Sequence, residues 1–288
     1  MRPITALSLI LSLLCFISAE AAAQEVVSFA SLDGRANGTA ATVLSGLLFK
    51  PAGAGPFPAV VAMHGCGGLF NRKGKLVARE SAWADLLTRR GYVVLFPDSF
   101  GPRKISSACG DGAPGARPWV ERTQDAYGAL RYLQAQPFVM ADRVGLMGWS
   151  HGGGSVLFAI HAGGKARPTS LPLGDFRAAV AFYPGWCHES AFGGHWSSTI
   201  ALQLEIGAND DWTHAPACVD MIQRAIVRGT PARIKVYDGA YHDFDRPGMA
   251  LHTSSPHIGK TVHTGINPQA RADALTRVPA FLDEFLKP

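Results

Sequence analysis

Charge is scarce in this sequence: Asp, Glu, Lys and Arg together make up 17% of its 288 residues. The formal net charge is +5, yet the basic residues are scattered and no run of them exceeds two, as at Arg89-Arg90. The basic stripe that a nucleic-acid surface requires is therefore missing, and no nucleic-acid partner is expected. Past the N-terminus no apolar run approaches the roughly 20 residues of a membrane-spanning helix, so no stable membrane insertion is expected either. Cysteine is sparse, five in all, and at spacings unlike those of a zinc motif. There is no internal repeat and no low-complexity linker. What is abundant is apolar material: 47% of the residues are hydrophobic, which excludes a disordered chain.

The first residues form a separate segment. Arg2 precedes an apolar run from Ala6 to Ala19, too short to span a bilayer comfortably, and Ala21-Ala22-Ala23 follows as a small-residue cleavage pattern. Residues 1–23 read as a secretory signal, cleaved before Gln24, with 24–288 as one domain delivered to the periplasm or beyond. Export gives the remaining cysteines a meaning. Cys66, Cys109, Cys187 and Cys218 permit two disulfides in three pairings in an oxidising compartment.

Apolar runs alternate with helical patterns along the rest of the chain, as an α/β fold with a mostly parallel central sheet requires. Strands are expected at 42–49, 59–63, 92–97, 144–147, 178–183, 201–206 and 234–237. Helices are expected at 76–90, 120–136, 152–161, 217–228 and 270–286. Cys187 and Cys218 then follow strand ends at one sheet edge, as do Cys66 and Cys109, which favours the pairs Cys187–Cys218 and Cys66–Cys109. The stretch 245–268 has no clear period and carries His252, His257 and His263. Their spacing matches no helical metal pair, so neither a metal nor a cofactor is expected.

Chemistry concentrates in four segments, each placed after a strand. Gly148-Trp149-Ser150-His151-Gly152 is a G-x-S-x-G pentapeptide between an expected strand and an expected helix. That context is a nucleophile elbow, in which glycines make room for a sharp turn that exposes the serine hydroxyl. A serine hydroxyl needs a base, and in this arrangement the order is nucleophile, acid, histidine. His242, past the last apolar strand, fits the base, and Gly207-Ala208-Asn209-Asp210-Asp211 supplies the acid. The turn His64-Gly65-Cys66-Gly67-Gly68 lies where one oxyanion donor belongs, which assigns the backbone N–H groups of Cys66 and His151 to that role. Trp149, Trp186, Trp212 and Phe70 adjoin these motifs and are candidates to line a substrate pocket, with core packing as the plainer role.

These motifs resemble those of the dienelactone hydrolase family. The resemblance spans residues 40–287 and rests on HGCGG, Asp98-Ser-Phe-Gly-Pro-Arg103, GWSHGG, Phe182-Tyr-Pro-Gly185, GANDDW and AYHDFD. It implies an α/β-hydrolase fold and hydrolysis of small carboxylic esters or lactones without metal or organic cofactor; a monomer or small homo-oligomer is expected. It implies Asp210, not Asp211, as the acid, and Arg103 as a grip for a substrate carboxylate. The best-known members use a cysteine nucleophile and a glutamate near the oxyanion turn. Here the nucleophile position is serine, and 64–71 holds no acid. Two rival readings share the scaffold: a small exported serine peptidase or acyl-amide hydrolase, and a non-catalytic binding protein.

Overall fold

A computed structural model describes residues 23–34, 40–110, 115–257 and 260–288. The expected signal segment lies outside them, Ala23 excepted. Eight strands form the central sheet: β1 (Ala23–Ala30), β2 (Val43–Lys50), β3 (Phe57–Met63), β4 (Val93–Asp98), β5 (Val139–Trp149), β6 (Ala178–Phe182), β7 (Ala201–Gly207) and β8 (Ala232–Tyr237). Their spatial order is β1-β2-β4-β3-β5-β6-β7-β8. β1, β2 and β4 pair antiparallel, and every pairing from β4 through β3 to β8 is parallel.

Parallel strands covered on both faces must be apolar throughout, because neither side meets water. β3 (FPAVVAM), β4 (VVLFPD) and β6 (AAVAF) have that character and are buried almost end to end. Five helices flank the sheet: α1 (Ala78–Arg89), α2 (Thr123–Gln134), α3 (His151–Ile160), α4 (Ala215–Val227) and α5 (Pro268–Leu286). α1 turns Trp83, Ala84 and Leu87 inward at helical spacing. α5 starts where Asn267 accepts a hydrogen bond from the Ala270 N–H (3.0 Å) and Pro268 takes the first turn. The far ends of α1 and α5 are joined by Arg90 and Asp283 (2.6 Å).

Two elements go beyond the sequence reading. β1 extends the sheet at its edge from Ala23, and the stretch expected to be irregular contains a hairpin, β9 (His252–His257) and β10 (Lys260–Thr264). The hairpin touches the loop after β8: Thr264 bridges to His242, and the Gly265 N–H donates to the His242 carbonyl (2.9 Å). Both cysteine pairs are closed as expected, Cys66–Cys109 and Cys187–Cys218. No helix among the described residues is long and apolar enough to cross a membrane.

Candidate active site

β5 runs into α3 through a single residue, Ser150, whose backbone sits at φ 54°, ψ −113°. That left-handed conformation is costly for a side chain larger than glycine's, and it persists here because the surroundings fix it. The Ser150 N–H donates to the Phe182 carbonyl (2.9 Å), while its own carbonyl accepts from Gly154 (2.8 Å) and Gly185 (3.0 Å). Gly152 is required by close approach: a β-carbon there would lie 2.1 Å from the Met63 carbonyl oxygen. Replacing it would push α3 away from β3 and move the serine.

Ser150 Oγ stands 2.9 Å from His242 Nε2, and His242 Nδ1 stands 2.8 Å from Asp210 Oδ2. The tautomer this favours carries the proton on Nδ1, donated to Asp210, and leaves Nε2 free to accept from the serine hydroxyl. Asp210 is set by the turn after β7. Its Oδ1 accepts from the N–H groups of Trp212 (3.0 Å) and Thr213 (2.9 Å), and its Oδ2 from the Thr213 hydroxyl (2.9 Å). The His242 ring is held between Tyr183 and Trp212, with centroids 4.5 and 4.7 Å away. Burial works against both charges. For Asp210 it is outweighed by His242 and the Thr213 hydrogen bonds, which hold the carboxyl below the usual carboxylate range. For His242 burial favours the neutral ring, but the Asp210 charge prevails and raises it above ordinary imidazole.

Facing the serine is the turn after β3. Neither the Cys66 N–H nor the His151 N–H donates to a backbone carbonyl among the described residues. The turn is anchored from behind. The Cys66 carbonyl accepts from the Ala108 N–H (2.8 Å), and the Cys66–Cys109 disulfide ties it to the loop after β4. The His64 ring is structural, with Nδ1 at 2.7 Å from the Gly65 carbonyl and Nε2 accepting from the Ser99 N–H (3.3 Å). Arg122, fully buried in the one-turn π-helix Pro118–Arg122, reaches both halves of this region. Its Nη2 donates to the His64 carbonyl and its Nη1 to His151 Nδ1, each at 2.7 Å. Ser150 and His242 open on a cleft of about 640 Å³, whose walls include Gly67, Phe70, Arg72, Arg79, Arg246 and His252.

With that geometry in place, comparison with known proteins decides the family. The model of the dienelactone hydrolase family matches residues 44–286. The chain belongs to the dienelactone hydrolase family. It is thereby a hydrolase, and its fold is that of the α/β-hydrolases. A solved dienelactone hydrolase-like promiscuous phosphotriesterase, P91, from metagenomic libraries, superposes with a TM-score of 0.66 at 20% identity over 91% of this chain and 99% of that one. Esterase 2 of Thermogutta terrifontis, phosphorylated by paraoxon, does so at 0.63 and 19% over 92% and 96%. The Bacillus subtilis (strain 168) protein YtaP is 33% identical over 111 residues, 34% of this chain. The matched segment spans 37% of that relative's length.

Two residues expected at the substrate lie elsewhere. Arg103 does not face the cleft. Its guanidinium is consumed by Asp125 (2.7 and 2.9 Å), Asp33 (2.8 Å) and the Ser99 carbonyl (2.8 Å), so it clamps β1, the loop after β4 and α2 together. Both terminal nitrogens are thus occupied, and the two-pronged grip on a substrate carboxylate is not available. Trp149 is also no pocket residue. It is fully buried behind the serine and donates from Nε1 to Asp245 (2.9 Å). The exposed Asp211 carboxylate instead accepts from the backbone N–H (2.9 Å) and ring Nδ1 (2.7 Å) of His263 on β10. His252 Nδ1 lies 2.9 Å from the Ala250 carbonyl, and the His257 side chain lies outside the described residues.

A buried polar cluster beneath the site escaped the sequence reading. Arg79, on α1, pairs with Glu80 (2.6 Å) and with Asp243 (2.5 Å), the residue after His242. Tyr183 donates to Asp245 (2.5 Å), which also receives the indole N–H of Trp83 (2.8 Å). Burial would raise Asp243, but Arg79 outweighs it and keeps the carboxyl low, while burial prevails at Asp245 and Glu80 and raises both. The signal was present in AYHDFD, where two acids flank an aromatic after the histidine. What the sequence does not display is the α1 register, which brings Arg79 onto Asp243 directly and onto Asp245 only through the Tyr183 hydroxyl.

Proposed function

We propose that the protein is a serine hydrolase that cleaves carboxylic esters or lactones by acyl transfer. What carries the reading is the relay Ser150 Oγ–His242 Nε2–Asp210, with steps of 2.9 and 2.8 Å, at the wall of an open cleft. His242 takes the serine proton as Oγ bonds to the substrate carbonyl carbon. The carbonyl electrons move onto oxygen, which the N–H groups of Cys66 and His151 receive. As that oxyanion collapses, the bond to the alkoxy oxygen breaks and His242 returns its proton to the leaving group. Water, deprotonated by the same ring, then releases the acid and regenerates Ser150. Asp210 fixes the Nδ1 tautomer and balances the imidazolium. Export belongs to the same reading, with residues 1–23 removed. N-terminal sequencing of exported protein is expected to begin at Gln24.

Paraoxon provides the test, since an activated serine displaces its nitrophenolate and keeps the diethylphosphoryl group. Intact mass is expected to show one adduct per chain, mapped to Ser150 and lost in Ser150→Ala. Hydrolysis of a p-nitrophenyl ester should fall with it. A wild-type chain that takes up no adduct and cleaves no ester would overturn the assignment. Matched ester and anilide substrates separate this reading from that of a peptidase.

A further inference from the structure

The space around Ser150 has two lobes, and only one of them contains the general acid. The 640 Å³ cleft is lined by Ser150, His242, Arg246 and the hydroxyls of Ser106 and Ser107. A second cavity, of about 440 Å³, shares Ser150, Cys66, Cys109 and Trp212 with it and is bounded further by His151, Gly185, Trp186 and Trp119. His242 does not line it. His242 must deliver its proton to the departing alkoxide, so the alcohol half of an ester belongs in the lobe that holds His242. The acyl half is then directed past His151 toward Trp186.

The acyl side does not end there. Trp119 and Trp186 also wall a third cavity, of about 590 Å³, completed by Phe158, Phe192, His161 and Lys165. From the elbow outward the rings follow one another: His151 to Trp186 at 5.1 Å, Trp186 to Trp119 at 5.7 Å, Trp119 to Phe158 at 5.9 Å and Phe158 to Phe192 at 4.5 Å. Three of these pairs are edge-to-face, so ring faces and edges remain available for another aromatic group to stack between. The wall is also preformed. Trp186 is held at φ 57°, and its indole lies so close over α3 that a β-carbon on Gly154 would sit 2.8 Å from it. Trp119, by contrast, is 42% exposed, an indole left partly uncovered at the junction of two cavities. Partly exposed tryptophan at a concave site is a common anchor for a ligand ring.

We propose that the acyl pocket continues past Trp186 and Trp119 into the aromatic cavity, and that the substrate class is esters of arylalkanoic acids with polar alcohols. This rests on the serine-hydrolase reading for the position of the carbonyl, while the cavity itself does not. A benzoyl ring attached directly to the carbonyl stops short at Trp186. A ring carried on a two- or three-carbon chain passes it and stacks against Trp119.

The test keeps the leaving group constant and varies the acyl group: p-nitrophenyl acetate, benzoate, 3-phenylpropanoate and 4-phenylbutanoate. The kcat/KM ratio of 4-phenylbutanoate to acetate is expected to exceed that of benzoate to acetate. Trp119→Ala, and Ala166→Trp, which fills the cavity from another segment, are each expected to lower the 4-phenylbutanoate ratio about tenfold, the scale of one lost aromatic contact with its burial. Titration calorimetry with 4-phenylbutyramide reads the cavity without turnover, and Trp119→Ala is expected to weaken its Kd about tenfold. A ratio and a Kd that neither substitution changes overturn the proposal. If no ester is hydrolysed but the amide still binds through Trp119, the cavity stands and the catalytic reading falls.

Discussion

The carboxylates of Asp210 and Asp211 diverge from adjacent positions: the first accepts from His242 and Thr213, the second from His263 on the hairpin. Asp210→Asn is expected to lower kcat by about four orders of magnitude while the protein stays folded, because the amide no longer specifies the Nδ1 tautomer or balances the imidazolium. Asp211→Asn removes an exposed contact and should change stability by no more than about 0.5 kcal/mol, with kcat nearly intact. Steady-state kinetics and thermal melts of both variants decide. The pH profile carries the same logic. Since Asp210 outweighs burial and raises His242, the acid limb of kcat/KM should lie above the ordinary imidazole range, and in the residual activity of Asp210→Asn it should shift to lower pH. Arg122 adds a second prediction at this scale. Burial lowers this arginine to about 9, and its two donors brace the His64 carbonyl and the His151 ring, one on either half of the proposed oxyanion hole. Arg122→Met is expected to cut kcat by about tenfold to a hundredfold with little change in KM, short of the loss of a whole donor. Arg122→Lys, a point charge that cannot span both acceptors, should rescue only part. A proportional loss in KM and melting temperature, with kcat unmoved, would leave Arg122 a purely structural role.

At the scale of elements, the two disulfides join segments with different jobs. Cys187–Cys218 ties the loop after β6 to α4 and holds neither proposed oxyanion donor, whereas Cys66–Cys109 holds the turn that presents the Cys66 N–H. Cys187→Ser with Cys218→Ser is expected to lower stability by about 2–4 kcal/mol and leave kcat largely unchanged. Cys66→Ser with Cys109→Ser should lose a similar amount of stability but also lower kcat, and denaturant melts beside kinetics separate the two. The same elements show what could be read in advance. Buried parallel strands such as β3 and β6 are near-continuous apolar runs, and each proposed catalytic residue follows a strand of the sheet, so chain order pointed to Ser150 and His242, while the choice of Asp210 over Asp211 came from the family resemblance. The hairpin β9–β10 was illegible because its strands are rich in His, Ser and Thr, and one of its few buried side chains is Val262. Arg103 was misread for a related reason. A loop position beside a motif indicates reach, but whether an arginine is free depends on Asp33 and Asp125, which come from β1's end and α2.

Across the whole molecule, the pH ranges that favour catalysis and folding differ. In the proposed mechanism activity requires neutral His242 and so rises with pH through its raised pKa. Asp33, beside Thr42 and Arg103, and Asp243, beside Arg79, are held low, so each adds stability above its unfolded pKa that is lost as pH falls through the folded one. Glu205 has the opposite sign. It lies within β7, next to the strand that ends at Ser150's partner Phe182, and burial raises it from 4.5 to about 7 despite hydrogen bonds from Tyr237 (2.7 Å) and Gln203 (2.8 Å). Below 4.5 both the folded and unfolded forms of this group are protonated, and its contribution is fully present. Between 4.5 and about 7 the unfolded chain sheds the proton while the folded one keeps it, so stability declines, and above about 7 the loss is complete. Glu205→Gln carries no charge at any pH and should escape that decline. Urea melts at pH 5 and pH 8 are expected to show the variant gaining on the wild type with rising pH, by up to about 3 kcal/mol from the size of the shift. Parallel stability curves would mean that the carboxyl ionises as readily inside the sheet as outside it. In that case the decline of stability on the alkaline side would have to come from elsewhere than this strand.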